Sequence, residues 1–230
     1  MSDGPMSKED VERHNDAFAR EHDIDAYYAD SGVVIRTIEE RRIRAIERLL
    51  DVRPGERLLE VGCGGGHVLS RFPQAKLTGV DVSGEMLAKA ARKLAHLDAR
   101  LVKGELVDAG FAAGEFDAVI CTEVLEHVID PAALLREIRR VTRPNGRVVV
   151  TFPNDLLIDR LKRAVVAARL TKLPPFRRIG WAGHYHLHRW TVVEMRSLLE
   201  ADFAITAERH VPSPILPIRC CFLCAPRPFL

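Results

Sequence analysis

The sequence predicts an α/β fold, a mainly parallel β-sheet covered by helices on both faces. Two observations carry that reading. From residue 57 to residue 152, short runs rich in Val, Leu and Ile alternate with amphipathic stretches, as in strands buried on both faces and joined by crossover helices. The first run ends in a cluster of glycines, Gly62, Gly64, Gly65 and Gly66, as a strand does when it turns tightly into the next element.

Taken in order, residues 33–50 read as a helix. Val34, Ile38, Ile43, Ile46, Leu49 and Leu50 fall near one stripe, while Glu39, Arg41, Arg42, Glu47 and Arg48 are expected to face water. Arg53-Pro54-Gly55-Glu56 stops that helix and sets a turn. A strand follows over Arg57–Val61, then the glycine loop Gly62–Gly66, and a helix is expected to begin over His67–Phe72. Lys76–Asp81 is a second strand. Ser83 caps a helix over Gly84–Ala95, with Glu85 in the first turn where the helix dipole favours an anion. Arg100–Lys103 and Phe116–Cys121 are the third and fourth strands, and Asp130 caps a helix over Pro131–Val141. Pro144-Asn145-Gly146 turns into a fifth strand, Arg147–Phe152.

Beyond Pro153 the alternation breaks. Residues 155–170 make an amphipathic helix, with Leu157, Leu161, Ala164, Val165 and Ala168 on one side and Asp159, Arg160, Lys162, Arg163 and Arg169 on the other. A loop with Pro174-Pro175 and Gly180–Gly183 follows. Thr191 caps a helix to about Ala201, and Phe203–Arg209 and Cys220–Ala225 are the last two strands.

Composition narrows the function. A chain of 230 residues suits one large domain or a domain with an appended cap. A formal net charge of +2 excludes a strong bulk pull toward nucleic acid or anionic membrane. No apolar run approaches the ~18 residues needed to span a bilayer. Met1–Asp10 is polar and acidic, unlike a secretory signal. Cys63, Cys121, Cys220, Cys221 and Cys224 are therefore expected to be reduced thiols in a cytoplasmic protein.

The sharpest motif is Leu58-Leu59-Glu60-Val61-Gly62-Cys63-Gly64-Gly65-Gly66. Dinucleotide enzymes need G-x-G-x-x-G, with a pyrophosphate on the following helix N-terminus. Here the third dinucleotide glycine is replaced by His67. Glu60 at the strand end would repel a pyrophosphate and would welcome a cationic sulfonium and ammonium. Asp81 closes the next strand, where a carboxylate can accept both hydroxyls of a ribose. Asp81 alone does not discriminate between cofactors, and a plain βα turn or a helix cap are the bland readings of the loop and of Asp81.

Five motifs in order carry a resemblance. They are Leu59-Glu60-Val61-Gly62-Cys63-Gly64-Gly65-Gly66, Gly79-Val80-Asp81-Val82-Ser83, Phe116-Asp117-Ala118-Val119-Ile120, Glu123-Val124-Leu125-Glu126-His127 and Arg143-Pro144-Asn145-Gly146-Arg147. Together they resemble class I S-adenosylmethionine-dependent methyltransferases, in particular the group that includes the ubiquinone- and menaquinone-pathway enzymes. The resemblance implies a Rossmann-like three-layer sandwich with a seven-stranded, mostly parallel sheet whose last strand runs antiparallel. It implies S-adenosyl-L-methionine as the cofactor. Gly62, Gly64 and Gly66 would cradle its methionine part, Asp81 its ribose, and Val82 and Met86 its adenine. Glu60, Cys63, Leu106 and Thr122 complete the expected cofactor site. Where the family has Gly-Asp-Ala, this chain has Gly104-Glu105-Leu106, and Glu105 takes the place of the adenine-contacting Asp.

On this reading, residues 1–50 form an N-terminal helical lid that includes Tyr27 and Tyr28. Residues 51–152 form the cofactor-binding core, residues 153–189 a cap, and residues 190–230 the last helix and strands. The reaction expected is methyl transfer to a small organic acceptor, hydrophobic or phenolic, with oxygen favoured as the methylated atom.

Methyl transfer chiefly needs positioning, and a base is needed only where the acceptor must lose a proton. His127, His184 and His186 are the candidate bases. Glu123-x-x-Glu126-His127 also resembles the divalent-metal triad of the ubiquinone-pathway enzymes, though structural packing is the plain reading and no resident metal is expected. If such a site formed, Mg²⁺ would be its ion. The basic residues of helix 155–170 make it a candidate for peripheral membrane contact. Rival readings are an NAD-dependent oxidoreductase and a non-catalytic module that binds S-adenosylmethionine. A nucleic-acid enzyme is disfavoured by charge and by the lack of an Asn-Pro-Pro-Tyr type motif.

Overall fold

The computed structural model describes residues 10, 13, 16, 17, 33–170 and 186–228. Seven strands form one sheet. They are β1 (Arg57–Val61), β2 (Lys76–Asp81), β3 (Ala99–Lys103), β4 (Phe116–Thr122), β5 (Thr142–Pro153), β6 (Phe203–Ser213) and β7 (Leu216–Pro226). Among the described residues, the helices that accompany them are α1 (Val33–Leu50), α2 (Gly84–Lys93), α3 (Pro131–Val141), α4 (Asp155–Ala167) and α5 (Val192–Glu200).

The strand order is β3-β2-β1-β4-β5-β7-β6. The pairs from β3 across to β5 are parallel, and β7 runs antiparallel to both β5 and β6. This is the sheet that the resemblance implies, antiparallel last strand included. The order reverses between β1 and β4, so their carboxyl ends open the crevice in which ligands of open α/β sheets bind.

Strand residues alternate between two cores, because side chains of a strand point to opposite faces with a period of two. Leu58, Leu77, Ala118, Ile120 and Val149 pack with Ile43, Ile46 and Leu50 of α1 and Leu87 and Ala90 of α2. Leu59, Val61, Val119, Cys121, Val148 and Val150 pack instead with Leu135, Ile138 and Val141 of α3 and Met195 and Leu199 of α5. The result is a three-layer sandwich.

The helix starts follow local chemistry. Ser83 accepts from the Met86 N–H at 3.2 Å, and Asp130 accepts from the Ala133 N–H at 2.8 Å with Pro131 opening α3. Thr191 and Glu194 form a reciprocal capping box at α5.

Three sequence expectations are corrected. The helix expected to begin over His67–Phe72 is a single 3₁₀ turn, Leu69–Arg71. Pro73 follows Phe72 directly, and the residue before a proline is pushed out of the α region, so no full helix fits. Glu39 and Arg42, expected to face water, are buried and paired at 2.8 Å. The face of α1 that carries them lies toward Arg219 of β7, whose guanidinium is 3.5 Å from Glu39. Finally, β5, β6 and β7 run further than the expected Arg147–Phe152, Phe203–Arg209 and Cys220–Ala225. Pro212 and Pro217 face each other across the β6–β7 hairpin, and Pro153 ends β5 while still paired with Arg219. No helix among the described residues is long and apolar enough to cross a membrane.

Candidate functional site

The glycine loop wraps the end of β2. The N–H groups of Gly62 and Cys63 both donate to the Val80 carbonyl, at 2.8 and 3.0 Å, and Gly64 donates to Asp81 Oδ2 at 2.8 Å. Two glycines matter for different reasons. Gly62 has φ 67°, and a Cβ there would sit 2.4 Å from Val124 Cγ2. Gly64 has φ 49°, and a Cβ there would meet no atom within 4 Å among the described residues. Gly62 therefore lets the next loop close on β1, while Gly64 has no described residue packed against its face. Cys63 and Gly66 form the loop's underside, the former buried against Gly79 and the latter over Ala90 of α2 and Leu94, the residue that caps its end. Burial, aided by the charges of Glu60 and Asp81, pushes the Cys63 thiol far up, so it is packed and inert.

Glu60, the penultimate residue of β1, is 2% exposed. Burial lifts its carboxyl to about 8, and the Arg42 guanidinium, the Leu69 backbone and the Thr122 hydroxyl only partly oppose that rise. Its Oε2 is buried and has no hydrogen-bond partner among the described residues. A buried carboxylate oxygen left in this state is poised for a cation.

Asp81 uses both carboxylate oxygens locally. Oδ2 accepts from Gly64 and Oδ1 accepts from the Ser83 N–H at 2.8 Å. The helix cap is Ser83, so Asp81 is not spent as one. Burial raises the Asp81 pKa, the two N–H bonds restrain it, and the Asp16 charge adds to the rise. The Ser83 hydroxyl donates to Asp16. Val82 follows Asp81, and Met86 is buried in the first turn of α2. The β3 end is tied alongside, since the Gly104 N–H donates to the Asp81 carbonyl at 3.0 Å. Glu105 then precedes a short 3₁₀ turn that buries Leu106.

A second cluster lies beyond β4 and β5. Glu123 has φ 54°, and its carboxylate is drawn to Arg219 Nε at 3.2 Å and to the Thr151 hydroxyl at 3.2 Å. Glu126 is 1% exposed, and neither carboxylate oxygen has a hydrogen-bond partner among the described residues. Burial first, and then the Glu123 charge, hold its carboxyl well above the usual range. The segment 186–188 folds back onto this loop: the N–H groups of Leu187 and His188 donate to the Glu126 carbonyl at 2.8 and 3.2 Å. His186 Nδ1 lies 2.6 Å from Asp155 Oδ2, both side chains being 11% exposed. The rings of His127 and His186 meet edge to face at 4.9 Å.

The structure thus brings together His127 and His186 of the three histidines expected to do chemistry. His184 lies outside the described residues, as do Tyr27 and Tyr28. One ligand atom each from Glu126, His127 and His186 falls within 4.8 Å of the others, and Glu123 is not of that group. Sequence reasoning missed Asp155, Arg42 and Arg219. Asp155 had a local signal, since it follows β5 at the carboxyl edge of the sheet; it was read only as the start of a helix. Arg42 and Arg219 had none, because their partners are set by packing of α1 on β7.

Comparison with known proteins adds the family. Residues 59–150 match the methyltransferase domain family. The ubiquinone biosynthesis O-methyltransferase of Thiobacillus denitrificans is 38% identical over 127 residues, 53% of this chain and 54% of that protein. That of Alkalilimnicola ehrlichii is 33% identical over 157 residues, 64% of this chain and 62% of that protein. The chain therefore spans only part of the length of the curated relatives it matches. Among solved structures, magnesium protoporphyrin IX methyltransferase from Synechocystis with bound SAH has a TM-score of 0.72 at 18% identity, covering 96% of this chain and 100% of that one. At that identity it speaks for the fold.

Proposed function

We propose, from the match of residues 59–150 to the methyltransferase domain family and the likeness to O-methyltransferases, that the chain is a class I S-adenosylmethionine-dependent methyltransferase that methylates an oxygen atom of a small organic acceptor. The observation that carries the cofactor is the oxygen of buried Glu60 that has no hydrogen-bond partner among the described residues, together with Asp81 fixed between Gly64 and Ser83. That set suits a cationic amino-acid nucleoside and not a diphosphate.

Each residue has a task in this reading. Glu60 accepts the cationic amino-acid end. Gly62, Gly64 and Gly66 leave room for its chain. Asp81 offers its remaining lone pairs to the ribose hydroxyls, while Val82, Met86, Glu105 and Leu106 frame the adenine. Cys63 and Thr122 support the loop and Glu60 from below. When bound, S-adenosylmethionine supplies a methyl carbon activated by a sulfonium.

Oxygen is favoured because the relatives named above are O-methyltransferases and because a base stands ready. His186, whose Nδ1 lies 2.6 Å from Asp155 Oδ2, is the proposed acceptor of a hydroxyl proton, and the Asp155 carboxylate stabilises the imidazolium that results. His127, packed edge-on against it, limits where the ring can turn.

α4 has a role in delivering the acceptor. Exposed apolar Leu156 and Val166 share the helix with exposed Arg160 and Arg163, and exposed Arg169 lies just beyond its end, a composition suited to an anionic lipid surface. Flotation with anionic vesicles tests that role, and failure of the intact protein to float overturns it.

The experiment for the function is a screen of phenols, catechols and other small hydroxyl compounds for acceptor-dependent release of S-adenosylhomocysteine. Product on a hydroxyl compound is the expected result. Cofactor binding with no product on any acceptor favours a binding module, and binding of NAD favours an oxidoreductase.

A further inference from the structure

We propose that Arg219 and Thr151 are positioning residues: they clamp the Glu123 carboxylate from two sides, and so hold the backbone of Glu123 in the left-handed turn that seats the loop after β4 against the cofactor loop.

The first ground is the backbone itself. Among the described residues, the non-glycine positions with positive φ are Asp51 at 44°, Glu123 at 54° and Arg169 at 56°. Asp51 follows α1 and Arg169 lies just past α4, where chains often leave a helix through such a turn. Glu123 follows a strand, β4, at the carboxyl edge of the sheet. A side chain at this φ is strained, and such strain persists only where the surroundings over-determine it.

The second ground is what over-determines it. The Glu123 N–H donates to the Thr151 carbonyl at 3.0 Å. Its Oε1 accepts from the Thr151 hydroxyl at 3.2 Å, and its Oε2 lies 3.2 Å from Arg219 Nε. Thr151 is fully buried on β5. Arg219 stands on β7 in register with Pro153 of β5. Its Nε is also 3.5 Å from Glu39, which pairs in turn with Arg42. The clamp is therefore anchored on the sheet and on α1, outside the loop that it holds.

The third ground is what the turn places. The residues on either side of Glu123 meet the cofactor loop. The Thr122 hydroxyl bonds to the Glu60 carboxylate. Val124 packs over Gly62, so closely that a Cβ there would sit 2.4 Å from Val124 Cγ2. Relaxation of Glu123 to an ordinary φ re-aims Val124 and loosens Thr122 from Glu60. A loop that visits its seated form only part of the time weakens a ligand in proportion to that fraction. The effect on the cofactor rests on the methyltransferase reading; the clamp itself does not.

The test titrates the full chain with S-adenosylhomocysteine by calorimetry in two backgrounds. Arg219→Met in the otherwise unchanged chain lowers the affinity by about 5–150-fold, the population shift that strain of this size commands. Glycine takes a positive φ without strain. In a Glu123→Gly background the same Arg219→Met therefore lowers the affinity by less than about twofold. An Arg219 that acts only through Glu39 and the packing of α1 costs the same in both backgrounds. Equal losses, or no loss in either background, overturn the proposal. Should Arg219→Met fail to fold, Thr151→Val, which keeps the shape and loses the hydroxyl, runs the same cycle on the other jaw of the clamp.

A second readout needs no ligand. Gly62→Ala lowers the melting temperature through its clash with Val124, and in an Arg219→Met background it lowers it less, because the loop can yield. Additive losses overturn the clamp. Absence of S-adenosylhomocysteine binding by the wild type, with melting losses that are less than additive, sinks the function and leaves the clamp standing.

Discussion

Gly64 donates its backbone N–H to Asp81 Oδ2 at 2.8 Å, so the loop after β1 and the end of β2 are joined by a side chain as well as by the sheet. The same carboxylate holds the Ser83 N–H with its other oxygen. Asp81→Ala removes the anchor of the loop and the acceptor proposed for the ribose. Hydrogen bonds to a charged group are each worth about 1.5–3 kcal/mol, so S-adenosylhomocysteine affinity is expected to fall at least about tenfold. Calorimetry measures it. Unchanged affinity would remove Asp81 from the cofactor site.

The two loop glycines separate stability from binding. In Gly62→Ala the new methyl meets Val124 Cγ2 at 2.4 Å in a backbone with φ 67°. Strain of this kind costs about 1–3 kcal/mol, and the melting temperature should drop by several degrees. Gly64→Ala carries backbone strain with no clash among the described residues. It should melt closer to wild type yet lose much of its cofactor affinity, because the methyl fills the space left for the ligand. Equal effects in the two variants would contradict the assignment of Gly64 to the open face.

Glu60 sets a pH dependence. Its folded carboxyl is raised to about 8 from an ordinary value of 4.5, chiefly by burial. The folded state therefore holds more protons than the unfolded state between those values. The sign follows: this group's contribution to stability is greatest below the unfolded value and declines as pH rises toward about 8. A cationic ligand favours the ionised form, so its binding expels a proton near neutrality and its affinity climbs with pH, levelling off above the folded value. Calorimetry in two buffers of different ionisation enthalpy reads the proton release. Glu60→Gln should abolish both the release and the slope; a slope that survives in Glu60→Gln belongs to another group.

Much of this was legible because it is local. Period-two alternation identified the central strands, and glycine spacing with Glu60 and Asp81 identified the loop. Capping residues Ser83, Asp130 and Thr191 act within three positions of themselves, and each was found. What was not legible depends on distant parts of the chain. Glu39 and Arg42 read as a wet face because a helical stripe knows nothing of Arg219, which β7 delivers to them. The Asp155–His186 pair is likewise invisible in either segment alone. The missing helix after the loop was a local error: the weight of Pro73 on the turn before it was not counted.

His186 carries the proposed proton transfer. General bases contribute about 10²–10⁴-fold, so His186→Ala should lower kcat by that order with cofactor affinity intact. His184→Ala is the companion variant. A loss confined to His184 would move the base to the neighbouring histidine.

The account stands most directly on which nucleoside the loop after Val61 accepts. Calorimetric titration of the folded full chain with S-adenosylmethionine should saturate at one molecule per chain, and titration with NAD should give no binding. The account is contradicted by the absence of saturable heat with S-adenosylmethionine, or by NAD occupying the site in its place.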